Sequence, residues 1–374
     1  MYNKNILIGI FKNNKNKSIE YLNELNNLLS LFKGIVYKTF LQRRLKPNNL
    51  TFVGKGYLDK ISIYVKKKFI DTVIFDDELS LSQYNNIEKK LKCFISDRTK
   101  LILDIFSYRA KTSYAKIQVK LAKYQYLLPR LKNMWSHLER QKGGIGLRGP
   151  GEKEIETDRR LIRQKIINLK KKLKKINNQI FIQRKNRINQ ISLSLVGYTN
   201  VGKTTIINKI TKQKLFTDNK LFTTLDTNVN KFYFKNKKFL LIDTIGFLRK
   251  IPTKLIESFK SSIIEIQNSD IILHIIDIST TFILDKFLYV TNFLFNELKV
   301  YNKNIIIVFN KIDKIKNFNI FFIKKIFGIK IFKNKYLIYK KKRMIYICIS
   351  TKNRNYILKL KSLIYNVTLK INKI

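Results

Sequence analysis

Gly197-Tyr198-Thr199-Asn200-Val201-Gly202-Lys203-Thr204 fits the spacing GxxxxGK[ST], with Thr205 directly after it. Glycines at those two positions let backbone N–H groups converge on phosphate oxygens at a helix N-terminus, where the helix dipole favours anions. Lys203 would reach the β- and γ-phosphates, and Thr204 would offer its hydroxyl to Mg²⁺. Further along, Asp243-Thr244-Ile245-Gly246 places a carboxylate where it could hold Mg²⁺ through water, and a glycine N–H that can bond a γ-phosphate. Lys203 and Gly246 are therefore the candidates for acting at the reacting phosphate.

A third motif, Asn310-Lys311-Ile312-Asp313, supplies base choice. An aspartate accepts two hydrogen bonds from guanine, at N1–H and the exocyclic amine. Adenine has an acceptor at N1 and no 2-amino group, so the buried carboxylate would be left unpaired. Ser350-Thr351-Lys352 could complete the guanine pocket or could be a solvated turn. Three motifs in this order predict a GTP-binding domain.

Such motifs need strands to deliver them. Apolar runs Ile191–Val196, Phe239–Ile242 and Ile305–Phe309 immediately precede the three motifs, and another precedes Ser350. An amphipathic stretch follows the first motif through Ile210. This strand–loop–helix context is the one a phosphate loop requires. Residues 191–374 are thus expected to form an α/β GTPase domain closed by a helix over Asn355–Ile371.

Two further zones precede it. Residues 1–105 alternate strand-like runs (Asn5–Phe11, Gly34–Phe40, Ile70–Phe75) with helical stretches such as Ser18–Phe32 and Ser82–Leu91. That alternation predicts a small α/β domain with a parallel sheet. Over 106–190 the period changes. Apolar residues from Ile117 to Leu138, and again from Ile162 to Ile180, recur at alternating steps of four and three. Two such seams predict a long antiparallel helical hairpin, with a kink at Pro129. Gly143–Gly151 connects them with five of the chain's 13 glycines, more than a plain connector needs. We read that loop as functional.

Composition bounds the rest. Over 374 residues, 76 Lys+Arg against 25 Asp+Glu give a net charge of +51. A polyanionic partner is the usual meaning, but abundant Lys, Asn and Ile with scarce Ala also reflect AT-rich codons. Two cysteines and two histidines exclude a disulfide framework and a His/Cys zinc cluster. No apolar run nears the roughly 18 residues of a membrane span, and no signal segment is evident. A soluble, unprocessed, cytoplasmic monomer is expected. His274 and Cys348 lie in strand runs and read as core, His137 sits off the seam, Cys93 has no activating neighbour, and Lys170–Lys175 reads first as a solvated helix face.

Taken together, these residues resemble the HflX-type GTPases of the translation-factor-related class. Gly143–Gly151 followed by Glu156-Thr-Asp-Arg-Arg160 is similar to that family's signature GGxGxRGPGExxxETDRR. Arg98–Leu131, the Gly54-Lys-Gly56 turn and Asp243–Phe247 also resemble family segments. So does Phe222-Thr223-Thr224-Leu225-Asp226, which is similar to the FATLD switch. The resemblance implies that Phe222–Asp226 contacts the nucleotide and that Thr224 joins Thr204 on Mg²⁺ when GTP is bound. It implies binding to the large ribosomal subunit and its RNA, and GTP-dependent splitting or rescue of stalled ribosomes under stress. Assisting large-subunit assembly is the alternative. Thr227-Asn228 stands where the family usually has Pro-Thr and Thr351 where alanine is common, and the additional C-terminal domain of many members is expected to be missing. Hydrolysis is expected to be slow without a ribosome. Phe247, after the DxxG glycine, cannot orient water as the usual glutamine does, unless Thr223 or Asp226 places it.

Overall fold

The computed structural model describes residues 3–131, 150–185, 190–212, 228–250, 260–328, 332–333, 336–339 and 342–371. The chain divides into two compact units, with Ile176 in the first and Asn177 opening the second.

In the first unit, apolar strand runs make a four-stranded all-parallel sheet in the order β2-β1-β3-β4. The strands are β1 (Lys4–Phe11), β2 (Ile35–Arg43), β3 (Thr72–Phe75) and β4 (Phe94–Asp97). Helices α1 (Lys15–Leu29), α2 (Lys55–Lys68), α3 (Leu81–Leu91) and α4 (Arg98–Arg109) alternate with them. Ser80 and Gln83 close a capping box at the start of α3, so that helix begins where the sequence signals it. The short β4 and the helix α2 lay outside the expected elements.

The expected boundary after residue 105 falls inside α4. Helix α5 (Ser113–Leu127) packs on α4 and buries Ala115, Val119, Ala122 and Tyr126. The heptad seam foretold only Leu121 and its neighbours, one of two faces that α5 covers. At Pro129 the α-helix gives way to a 3-10 turn, Leu128–Arg130, as a ring without an N–H demands. Trp135, His137, Leu138 and Gly143–Gly149 lie outside the described residues. Pro150 and Gly151, expected in the connecting loop, are instead the first residues of α6 (Pro150–Lys185). Proline fits that position because the first helical N–H has no partner to lose. Along α6, Ile162, Ile166, Leu169, Leu173, Ile176 and Ile180 are half-buried, and Lys170, Lys171, Lys172, Lys174 and Lys175 are exposed. The seam and the solvated basic face are therefore where the periodicity put them.

The second unit holds an eight-stranded sheet in the order β10-β11-β12-β9-β8-β5-β7-β6. Strands β5 (Ile191–Gly197), β7 (Lys237–Asp243), β8 (Ile271–Asp277), β9 (Asn304–Asn310) and β12 (Lys342–Cys348) run parallel. β6 (Asn228–Phe234), β10 (Phe332–Lys333) and β11 (Tyr336–Tyr339) are antiparallel additions at the edges. Helices α7 (Lys203–Thr211), α8 (Lys260–Asn268), α9 (Ile283–Asn292), α10 (Ile320–Phe327) and α11 (Arg354–Ile371) accompany them. Every residue of β8 is buried, as a central parallel strand covered on both faces should be. No helix among the described residues is long and apolar enough to cross a membrane.

His274 sits in β8, 1% exposed, stacked on Phe287 with Nδ1 lacking a hydrogen-bond partner. It is a core residue. Burial, helped by the Lys203 ammonium, pushes its pKa down to about 3. Its folded pKa lies below the unfolded value of about 6.5, so its contribution is intact above that pH and is lost as pH falls toward 3. Unfolding free energies from urea titrations of wild type and His274→Leu, compared between pH 7 and 4.5, should diverge by up to about 1.4 kcal/mol per pH unit below pH 6.5. Parallel curves would show that this histidine is not buried neutral.

Candidate nucleotide site

The parallel strands deliver Gly197, Asp243, Asp277 and Asn310 to one edge of the sheet, with Ser350 two residues past the end of β12. In open α/β sheets the crevice beyond the carboxyl ends of the strands, where the strand order reverses, is where ligands bind. β5 is that reversal point, flanked by β7 on one side and β8 on the other.

Sequence dictates the loop that follows β5. Asn200 and Gly202 adopt φ of +59° and +94°, the left-handed region. A Cβ at Gly202 would lie 2.6 Å from Asn310 Nδ2, and one at Gly197 would lie 2.3 Å from the Ile275 carbonyl oxygen. Glycine is required at both. The loop carbonyls are taken up by side-chain donors. Lys203 Nζ donates to Gly197 O at 3.2 Å and Tyr198 O at 2.9 Å. Lys311 Nζ donates to Asn200 O at 2.7 Å, and Asn310 Nδ2 to Val201 O at 2.8 Å. Thr199 is buried, its N–H donating to Phe247 O at 2.9 Å, and Phe247 N–H donates in turn to Gly197 O at 3.0 Å.

The motif residues converge in three dimensions. Thr204 Oγ1 donates to Asp243 Oδ2 at 2.8 Å, so the hydroxyl and carboxylate expected to serve one metal are neighbours. Gly246 lies against the loop: a Cβ there would meet Thr199 Cγ2 at 2.7 Å and Lys203 Nζ at 3.0 Å. Thr244 is fully buried and donates to Leu195 O, while Ile245 is buried beside it. Thr205 is half-buried in the first turn of α7. Ser350 Oγ donates to Asp313 Oδ1 at 2.6 Å, and Lys352 Nζ lies 3.0 Å from Oδ2. The Ser350 bond, reinforced by Lys352, holds the Asp313 carboxyl below its usual range. The last motif thus gathers on Asp313 rather than forming a detached turn, though Thr351 makes none of these bonds. Ile312 is buried and donates its N–H to Ile349 O at 3.4 Å. Phe222, Thr223, Thr224, Leu225 and Asp226 lie outside the described residues. Asn228, which opens β6, pairs with Asp243.

One participant was missed. Asp277 ends β8 and pairs with Lys311 Nζ at 2.6 Å. A carboxylate closing the apolar run Ile271–Ile276 was the available signal. Among the described residues no group of three His, Cys, Asp or Glu could hold a metal. The oxygen pair Thr204/Asp243 suits Mg²⁺, which keeps several waters and takes few protein ligands. Cys93 and Cys348 are both pushed up to about 12 by burial and are not thiolates at neutral pH.

Two outcomes follow from this geometry. Burial lowers the Lys203 pKa to about 8 against the pull of Asp243, and a bound triphosphate would restore the ammonium form. Calorimetry at pH 8.5 in buffers of different ionisation enthalpy should then show net proton uptake on GTP binding, and less of it at pH 7. A buffer-independent enthalpy at pH 8.5 would refute it. Asp313→Asn should lose GTP and gain affinity for xanthosine triphosphate, whose 2-oxo group suits an amide donor. Full retention of GTP affinity in a titration would displace Asp313 from the base pocket.

Comparison with known proteins places this chain in a family. Three family models match in succession: GTP-binding GTPase N-terminal over residues 19–107, GTP-binding GTPase Middle Region over 109–187, and 50S ribosome-binding GTPase over 192–311. GTPase HflX of Flavobacterium psychrophilum is 51% identical over 321 residues, 85% of this chain and 78% of that protein. GTPase HflX of Escherichia coli is 38% identical over 307 residues, 81% of this chain and 72% of that one. Among solved structures, a GTP-binding protein from Sulfolobus solfataricus in complex with GDP has a similar fold, with a TM-score of 0.50 and 23% identity over 98% of this chain and 99% of that one. With motifs, site geometry and relatives in agreement over most of its length, the chain belongs to the HflX family of GTPases.

Proposed function

We propose that this GTPase acts on the large ribosomal subunit and its RNA, splitting or rescuing stalled ribosomes under stress. The observation that carries the reading is the match of residues 192–311 to a model described as 50S ribosome-binding GTPase, in a chain that also bears the Gly143–Gly151 signature. The work is divided among residues 1–105, the hairpin 106–190 with its glycine-rich loop, and the GTPase domain 191–374. GTP is bound by 197–205, 243–246, 310–313 and 350–352, with 222–226 as the switch. Mg²⁺ is held by Thr204 and, in the GTP state, Thr224, with Asp243 behind it. When bound, the ion neutralises charge on the β- and γ-phosphates. Lys203, Thr224 and Gly246 act at the γ-phosphate. The protein works in the cytoplasm as a monomer.

Hydrolysis is slow until the ribosome is present. Phe247 is 9% exposed and packs edge-on against Phe293 at 5.0 Å between ring centroids. Its side chain is committed to the core and carries no group to orient water. Positioning and preorganised electrostatics supply most of the acceleration in phosphoryl transfer, so a partner has to complete them.

Sedimentation of ribosomes with the protein and a non-hydrolysable GTP analogue tests the proposal. Free subunits should rise with the wild type and not with a chain lacking Gly144–Gly149, whose GTP affinity should stay near normal. Binding without a rise in free subunits would favour the alternative, a GTP-dependent RNA-binding factor in large-subunit assembly. Single-turnover hydrolysis should accelerate with large subunits, and an unchanged rate would defeat ribosome activation.

A further inference from the structure

Asp277 belongs to none of the nucleotide motifs, yet it is tied to two of them. Its side chain is 6% exposed at the end of β8, with Oδ2 2.6 Å from Lys311 Nζ. Oδ1 accepts from the Ser279 N–H at 2.9 Å and the Ser279 hydroxyl at 2.6 Å. Lys311 Nζ donates at the same time to the Asn200 carbonyl at 2.7 Å. Asn200 is the phosphate-loop residue held at φ +59°, and Lys311 itself sits at φ +65°. A continuous link therefore runs from β8 through the guanine motif to the phosphate loop.

We propose that Asp277 is a positioning residue for nucleotide retention: it holds Lys311 on the Asn200 carbonyl and thereby sets how slowly bound guanine nucleotide leaves. The proposal rests on reading residues 197–204 and 310–313 as the nucleotide site. A lysine ammonium is a compact charge on a flexible stem, well hydrated and free to choose among partners. The Lys311 side chain retains 18% exposure, so water competes for it. The nearly buried carboxylate decides that competition, because a charge-assisted bond in a desolvated setting outweighs one to solvent. With the amine fixed, the Asn200 carbonyl keeps its donor and the non-glycine residue keeps a backbone conformation that is otherwise disfavoured. Most changes that loosen a binding site act on dissociation rather than association.

A plain alternative is that Asp277 only shapes the turn after β8, since its backbone carbonyl also accepts from the Thr280 hydroxyl at 3.1 Å. A double-mutant cycle separates the two roles. Dissociation of fluorescent GDP and of a fluorescent GTP analogue is followed by stopped flow for wild type, Asp277→Asn, Lys311→Met and the double variant, with Ser279→Ala as the turn control. Asp277→Asn should speed release of both nucleotides alike, on the order of tenfold. The double variant should be no faster than the faster single variant, and Ser279→Ala should change release less than about twofold. Multiplying effects in the double variant, or unchanged release from Asp277→Asn while Lys311→Met is fast, would overturn the proposal. If Asp277→Asn does not fold, Asp277→Glu carries the same cycle, since the longer arm misplaces the charge without removing it. Failure of the underlying site reading is recognised separately, by normal GTP affinity in Asp313→Asn.

Discussion

A phosphate-binding loop faces one constraint before any chemistry. Its N–H groups must turn toward the ligand, so its carbonyls must find donors of their own. Here the carbonyls of Gly197, Tyr198, Asn200 and Val201 each accept from a side chain: Lys203 for the first two, then Lys311 and Asn310. The guanine motif is thus part of the phosphate loop's scaffold as well as a reader of bases. This couples the two ends of the nucleotide site through short bonds and explains why the strands that carry the two motifs, β5 and β9, are separated by β8 alone. It also fixes the glycines. A side chain at Gly202 would occupy the position of the Asn310 amide, and one at Gly197 would strike the backbone of β8.

The sheet order follows from the same requirement. β5 must lie centrally, with β7 bringing Asp243 on one side and β8 then β9 bringing Asp277 and Asn310 on the other. Extending the order by β12 sets Ser350 beside Asp313. Hydrophobic burial supplies the rigidity: the interior of β8 and β9 is almost wholly Ile, Leu, Val and Phe, closely packed. Polar residues appear only where these strands end. His274 is the exception, and it is held neutral by that same apolar environment.

Much of this was legible in the sequence because motif and strand signals were adjacent. An apolar run ending in Asp243 or Asn310 fixes both the element and the direction in which its terminal side chain is presented. Asp277 had the same signal but no neighbouring motif, and its partner Lys311, with the Asn200 carbonyl that Lys311 also bonds, is distant in sequence. Only the sheet order brings them together. The small strands β10 and β11 escaped because two- to four-residue segments carry too little periodicity to register. The second face of α5 escaped for a different reason. Its contacts use Ala115, Ala122 and Tyr126, small or amphipathic residues that a heptad reading passes over. The loop residues Gly143–Gly149 stand out by their glycine content and the switch 222–226 by family likeness, and the described residues include neither.

The first unit shows what distinguishes a binding edge from a structural one. It too is a parallel sheet with acidic residues at its strand ends, Asp76 after β3 and Asp97 closing β4. Both are consumed internally. Asp76 accepts from the fully buried Arg98 at 2.8 and 3.1 Å. Asp97 caps α4 through the Lys100 N–H, accepts from the Leu79 N–H and the Tyr126 hydroxyl, and lies 3.6 Å from Arg130. Burial pushes the Asp97 carboxyl up, and those bonds with the Arg130 charge pull it back. Arg130, stacked 3.6 Å over the Tyr126 ring, ties the end of α5 to the loop before α3 through the Leu79 carbonyl. Such a network spends its polar capacity on joining helices to the sheet. In the second unit a glycine loop replaces it, its carbonyls bonded by Lys203, Asn310 and Lys311. Strand-end polarity alone therefore does not make a site. What makes one is a backbone that, by lacking side chains at Gly197 and Gly202, lets an anion approach its N–H groups closely.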